Sequence, residues 1–198
     1  MTVTIFKSIR EVSTPFYKDV SVVYDRIKNG ASKELINDIR NEEKKLERNR
    51  LKGKLPSICF SGKFSERSDD GLMEHSGLIC LDFDNYETEA KMMADKRRFK
   101  QDLFTHAVFI SPSGNGLKVV VKIDGNKHKG CFIALTKYYD SQYLDKVAKN
   151  ISRVCYESYD PRIYINLDSN LWDAYDELDD KGYGGRATVP LRSENKII

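Results

Sequence analysis

The chain has 198 residues, 40% of them hydrophobic, with 33 Lys and Arg against 30 Asp and Glu and a formal charge of +3. This is the composition of a charge-rich, soluble globular protein, long enough to bury one substantial core. No stretch reaches the roughly 20 apolar residues of a membrane helix, and the apolar run at residues 1–6 is too short for a secretory signal, so no membrane partner is expected.

Residues 3–6 alternate as a strand does. Residues 20–28 carry Val22, Val23 and Ile27 at helical spacing, and Gly30 ends the run. Ser32 stands where it would cap a second helix with the stripe Leu35, Ile36, Ile39, Glu43 and Leu46. The end of that helix crowds Lys44, Lys45, Arg48, Arg50, Lys52 and Lys54 together. Residues 57–60 read as a short buried strand, and residues 62–72 (GKFSERSDDGL) as a loop. The run 77–83 is the clearest strand, apolar enough to be covered on both faces. Residues 87–102 form a polar helix with contacts at Met92, Met93 and Phe99. Residues 107–110 and 117–123 are the arms of a hairpin around Ser111-Pro112-Ser113-Gly114-Asn115-Gly116. A helix over 128–139 and a strand-like end to 147–156 follow, and after Trp172 the pattern dissolves.

This order implies an α+β fold, a mostly antiparallel central sheet flanked by helices. One domain is expected over 1–175, with an amino-terminal unit to about residue 55 and a core over about 56–170; residues 176–198 read as a tail or linker. Cys59, Cys80, Cys131 and Cys155 sit in apolar surroundings without CxxC spacing. That pattern points to reduced thiols in a cytoplasmic protein and not to a zinc site.

Asp82 and Asp84 end the apolar strand, and strand alternation points both to one face, roughly 7 Å apart. Two ionised carboxylates so placed repel. A divalent cation between them turns the repulsion into binding, and oxygen ligands suit Mg²⁺ or Mn²⁺. The plainer alternative is a polar strand end, with Asp84 or Asn85 capping the next helix. In the glycine turn, Gly114 and Gly116 permit positive φ and exposed N–H groups, which with Ser111 and Ser113 can cradle a phosphate. Lys118 and Lys122 share a face of the strand that follows. An ordinary glycine hairpin accounts for the same residues, and with no GK[ST] the turn is not a Walker loop. Asp145 can supply a third carboxylate and Arg153 a bidentate phosphate contact. Asp160-Pro161 offers a competing carboxylate and is equally a turn signal. His75, His106 and His128 are scattered.

Taken together, the order is DxD after an apolar strand, SxSGxG before a lysine-bearing strand, then a downstream acid, Arg153 and Ser158-Tyr159-Asp160-Pro161. This resembles the archaeo-eukaryotic primase superfamily, and within it the prim-pol catalytic domains of the BT4734-like type found beside VirE-type helicase domains. Phe60-Ser61-Gly62-Lys63-Phe64 and His75-Ser76-Gly77-Leu78 belong to the same likeness, which runs from about Leu51 to Asn166. The resemblance implies an RRM-like core and a template-dependent nucleotidyltransferase, a DNA primase/polymerase using two Mg²⁺ or Mn²⁺ ions. Its setting would be replication or repair in a mobile element, phage or CRISPR-associated system.

The resemblance places catalytic and metal-binding roles on Asp82, Asp84 and Asp145, with Asp160 as the competitor for the third position. Nucleotide binding falls on Ser111, Ser113, Gly114, Asn115, Gly116, Lys118 and Arg153; Lys118 stands where many members carry histidine. The implied partners are a DNA template and primer, dNTP or NTP, and a helicase or accessory primase domain. A basic surface for nucleic acid is sought among Lys44, Lys45, Arg48, Lys52, Lys54, Lys63, Arg97 and Arg98. Two other readings compete. One is a non-polymerising nucleotide- or nucleic-acid-binding module of the same fold. The other is a phosphohydrolase of the haloacid dehalogenase type, which expects DxDGT and a parallel sheet, whereas Asn85 and Tyr86 follow Asp84 here.

Overall fold

The computed structural model describes residues 1–176, so the expected tail lies, apart from Asp176, outside the described residues. The first half of the chain forms β1 (Thr2–Phe6), β2 (Phe16–Asp19), α1 (Val20–Asn29), α2 (Lys33–Asn41), α3 (Lys45–Lys52), β3 (Ser57–Cys59), β4 (Gly62–Phe64), β5 (Leu72–His75) and β6 (Leu78–Phe83). The second half forms α4 (Glu89–Gln101), β7 (Thr105–Ile110), β8 (Leu117–Ile123), α5 (His128–Tyr139), β9 (Cys155–Tyr156), β10 (Tyr164–Ile165) and β11 (Leu171–Trp172).

Strands β2, β1, β3 and β9 make one antiparallel sheet. In the larger sheet β6, β8, β7 and β10 lie side by side, all antiparallel, and the short β11 runs parallel along the last residues of β8. The fold is α+β, as the sequence predicts. An antiparallel arrangement of β6, β7 and β8 is not the parallel sheet that a dehalogenase-type phosphohydrolase requires.

Alternation along β6 explains the layers. Ile79, Leu81 and Phe83 pack with Met92 and Phe99 of α4 and Leu135 and Tyr139 of α5. Leu78 turns the other way, toward Val3 and Ile58 of the smaller sheet, Phe60 just after β3, and Val23, Tyr24 and Ile27 of α1. Both faces of the strand are therefore buried, which is why its sequence lacks a polar face until Asp82. The amino-terminal unit is built into the same core: β1 pairs with β3, and α1 packs against β7 and β8 through Ala107, Phe109 and Val120.

Local signals set most boundaries. The Asp19 carboxylate accepts the Ser21 N–H at 2.9 Å to start α1, and Gly30, at φ +77°, ends it. The single long helix expected after Ser32 is broken at Glu42, which is extended (φ −81°, ψ 119°) and accepts the Lys44 N–H on its own carboxylate at 2.7 Å. Ser32 makes no side-chain cap; its hydroxyl goes to the buried Glu157 instead. Thr88 caps α4, so neither Asp84 nor Asn85 is used there. The 62–72 segment is more ordered than a loop, because β4 and β5 pair at its ends. All four thiols are free. Among the described residues no helix is long and apolar enough to cross a membrane.

Candidate active site

The register of the larger sheet builds the site. Asp82 on β6 pairs directly with Lys118 on β8. Along the opposite edge of β6, residues 143–145 run antiparallel to its end. The Asp145 N–H donates to the Asp82 carbonyl at 2.8 Å, the Asp84 N–H donates to the Tyr143 carbonyl at 2.8 Å, and Phe83 bridges Leu144. Phe83 and Leu144 turn into the apolar core, so alternation sends Asp82, Asp84 and Asp145 to the other face together. Across the sheet the row reads Asp145, Asp82, Lys118.

The charges in this row are matched in pairs. The Lys118 ammonium closes on Asp82 Oδ1, a buried atom with no other partner among the described residues. Arg153 Nη2 lies 2.7 Å from Asp145 Oδ2. Burial pulls the Lys118 pKa down, but Asp82, Cys155 and Asp84 more than offset that and hold it above the ordinary lysine range. Asp84 has no such dedicated cation among the described residues. Burial raises its pKa, Lys118 opposes the rise, and the neighbouring Asp82 adds to it. Lys52 of α3 feels Asp84, Lys118 and Asp82, and its own pKa is lowered chiefly by burial.

The glycine turn packs against Asp84. A Cβ on Gly116 would sit 2.5 Å from Asp84 Oδ1 and 2.7 Å from the Phe83 carbonyl, so only glycine lets the turn approach so closely. The Asn115 carbonyl accepts the Tyr86 N–H at 3.2 Å. The turn is also closed on itself: the Ser111 N–H donates to the Gly116 carbonyl at 2.8 Å and the Gly114 N–H to the Ser111 carbonyl at 3.0 Å. Gly114, at φ +81°, therefore has its amide occupied. Ser111 Oγ is buried beside Gly116 without a partner among the described residues; Ser113 is half-buried and Asn115 exposed. Arg40 of α2 holds the turn from beneath, donating to the carbonyls of Ser111 (3.2 Å), Pro112 (3.3 Å) and Tyr159 (2.8 Å). Nothing in the α2 sequence marks Arg40 for this role.

Asp160 is employed elsewhere. It is 2% exposed, pairs with Lys96, and accepts the N–H groups of Ile110 and Arg162 at 2.9 Å each. The register brings Asp145, not Asp160, beside Asp82. Of the candidate basic residues, Lys52 faces the site, with Arg48 next to it. Lys44, Lys45 and Lys54 are exposed on or beside α3, and Lys63 lies over the Tyr17 ring at 5.0 Å. Arg97 and Arg98 are exposed on α4, which packs on the other face of the sheet.

Two clefts flank the acidic row. One, of about 420 Å³, is lined by Asp84, Asn85, Glu87, Gln142, Tyr143 and Asp145. The other, of about 360 Å³, has Arg67, Lys118 and Arg153 in its wall beside Asp82. As the side chains stand, no three Asp, Glu, His or Cys groups among the described residues are close enough to enclose a metal ion. Asp82 and Asp145 are turned to their cations. The oxygen donors that could hold a divalent ion are Asp82, Asp84 and Asp145; the Ser111 hydroxyl, like Asp84 Oδ1, lies against Gly116.

The family model for the BT4734-like, N-terminal domain matches residues 50–165, more than half of the chain. The chain belongs to this family. No curated protein and no solved structure matches it. In this BT4734-like N-terminal domain the matched span holds the whole acidic row, Lys118, Arg153 and the glycine turn, whereas α1 and α2, which supply Arg40, precede it.

Proposed function

We propose that this domain is a metal-dependent nucleotidyltransferase of the archaeo-eukaryotic primase superfamily, a prim-pol that joins dNTPs or NTPs to the 3′-hydroxyl of a templated primer. The observation that carries the reading is the row Asp145–Asp82 with Asp84 beside it, where Asp82 shares the wall of a cleft with the cations Arg67, Lys118 and Arg153.

The residues fit a hard divalent cation. Their donors are all oxygen, and Asp84 is a half-buried carboxyl whose proton affinity is raised by partial burial and by Asp82, which a metal charge would relieve. Asp82 and Asp84 would hold Mg²⁺ or Mn²⁺, with Asp145 joining once it leaves Arg153. Bound there, the metal supplies charge neutralisation at the reacting phosphate and a more acidic hydroxyl. The protein's own groups bind and orient. Lys118 and Arg153, released from their carboxylates, are placed to hold phosphate oxygens. Gly116 and Arg40 keep the turn seated on Asp84, and Lys52 extends the positive surface toward a nucleic-acid strand. Positioning of this kind provides much of the rate in phosphoryl transfer.

The test is extension of a labelled primer on a template with dNTPs and Mn²⁺ or Mg²⁺. The double variant Asp82→Ala/Asp84→Ala is expected to lose extension and keep DNA binding; extension by the double variant would overturn the reading. A second reading has its own support, because Lys118 and Arg153 already neutralise Asp82 and Asp145. A module that binds nucleotide or nucleic acid without joining it would bind in the same assay and never extend. A helicase or accessory primase domain as partner, and a role in a mobile element, phage or CRISPR-associated system, belong to the first reading.

A further inference from the structure

Three cations from distant parts of the chain converge on the 360 Å³ cleft: Arg67 from the loop after β4, Lys118 from β8 and Arg153 from the segment before β9. Asp82 is the single carboxylate in its wall among the described residues. Its size falls within the range of small-molecule sites. The cations are not equivalent. Lys118 has Asp82 and Arg153 has Asp145, but Arg67 has no carboxylate within ion-pair distance among the described residues.

Arg67 is nevertheless fixed in place. Its Nη2 donates to the Ile9 carbonyl at 2.8 Å and its backbone N–H to the Val12 carbonyl at 2.8 Å. Its loop is tied to that of Arg153 through Asp69 Oδ1, which accepts the Ser152 N–H (2.9 Å) and hydroxyl (2.7 Å). Held in this way, Arg67 Nε is buried with no acceptor among the described residues. A guanidinium cannot shed its charge, so a buried donor on it is costly until an anionic oxygen arrives. The glycine turn contributes nothing to the wall of this cleft, and its Gly114 amide is already bonded within the turn.

We propose that this cleft, and not the glycine turn, seats the polyphosphate end of the substrate, and that Arg67 binds it. The identity of the phosphate carrier rests on the nucleotidyl-transfer reading, but the seat can be tested without it. The probe is inorganic tripolyphosphate, titrated calorimetrically into the full chain without divalent cation. Arg67→Gln is expected to weaken binding at least about tenfold, as loss of a charge-assisted hydrogen bond implies, with Arg67→Lys intermediate. Equal affinity for wild type and Arg67→Gln would overturn the proposal. So would a loss for Ser113→Ala as large as that for Arg67→Gln, which would return the seat to the turn.

Because Arg67→Gln also loses the bond to Ile9, a second measurement uses unmutated protein. The Arg67 Nε–H resonance, assigned by its absence in Arg67→Lys, is expected to shift on adding tripolyphosphate, and an unmoved resonance contradicts the assignment. Tripolyphosphate binding without primer extension would refute the polymerase reading and leave this seat standing. Extension with no tripolyphosphate binding and an unchanged KM for dNTP in Arg67→Gln would do the reverse.

Discussion

Asp145 lies directly across from Asp82, its backbone N–H on the Asp82 carbonyl at 2.8 Å, although α4, β7, β8 and α5 separate the two in the chain. Each brings its own cation, Arg153 to Asp145 and Lys118 to Asp82, and the structure tolerates the crowding of acids because of them.

The Lys118–Asp82 pair is well shielded, at 10% and 20% side-chain exposure. Removing the ammonium leaves Asp82 without its partner. Lys118→Met is expected to cost about 2–3 kcal/mol in urea unfolding at pH 7, somewhat less than a fully buried pair. The double variant Asp82→Asn/Lys118→Met should recover more than half of that. An unchanged unfolding midpoint for the single variant would mean that the pair contributes nothing.

Asp145 and Asp160 separate in the same experiment. Asp160 is fully buried against Lys96 and two backbone donors. Asp160→Ala should therefore destabilise by about 3–5 kcal/mol, leaving a buried ammonium unpaired. Asp145 is partly exposed, and its pair with Arg153 is open to solvent. Asp145→Asn should change stability by less than about 1 kcal/mol, while lowering metal-dependent primer extension. A folding defect in Asp145→Asn as large as that in Asp160→Ala would remove the functional distinction.

What the sequence announces, and what it hides, follows from how each residue is buried. Strands β6 and β8 are legible because both their faces are covered, and Asp82 and Asp84 then share a face by simple alternation. Lys118 reads from the sequence as a phosphate ligand, but its first partner is Asp82, a fact of register between strands that are not neighbours in the chain. Asp145 lies where the chain has no period to read, so only the backbone bonds of 143–145 to β6 place it. Strand β2 is exposed at all four positions and shows no alternation. Glu157 and Arg40 act through tertiary contacts, with Arg26 bound to Glu157 at 2.6 Å, and no local motif signals either.

The histidines make the fold acid-sensitive. The Gly77 N–H donates to His75 Nδ1 at 2.9 Å, so neutral His75 carries its proton on Nε2 and donates to His128 Nδ1 at 3.0 Å. Burial, with His75 adding to it, pushes the His128 pKa down to about 3; burial also lowers His75 and His106. These folded values lie below the unfolded value of about 6.5, so the folded state binds fewer protons. The stability tied to neutral imidazole is complete above about pH 6.5 and declines as the pH falls from there toward 3. Each histidine contributes a slope of up to about 1.4 kcal/mol per pH unit. His128→Gln, which keeps an acceptor for His75, should flatten the fall of the urea midpoint between about pH 6.5 and 4. A profile as steep as wild type would show that His128 titrates normally in the folded protein.

Gly116 is the most demanding position in the turn. Its missing side chain is what lets the loop lie against Asp84 Oδ1 and the Phe83 carbonyl, with the buried Ser111 hydroxyl alongside. In Gly116→Ala the methyl must displace the Asp84 carboxylate or lift the turn from Arg40, because the Phe83 carbonyl is fixed in the backbone. The expected cost is about 1–3 kcal/mol, that of overpacking. Metal-dependent activity should fall further than stability accounts for, since Asp84 is the group pushed aside. Gly114→Ala makes the comparison: it is strained by its φ of +81°, but its nearest neighbour is the flexible Arg40 side chain at 3.5 Å. Measuring Mn²⁺-dependent extension and unfolding on both variants separates the effects. If Gly116→Ala and Gly114→Ala lose activity only in step with stability, the turn acts as a scaffold and its contact with Asp84 has no catalytic weight.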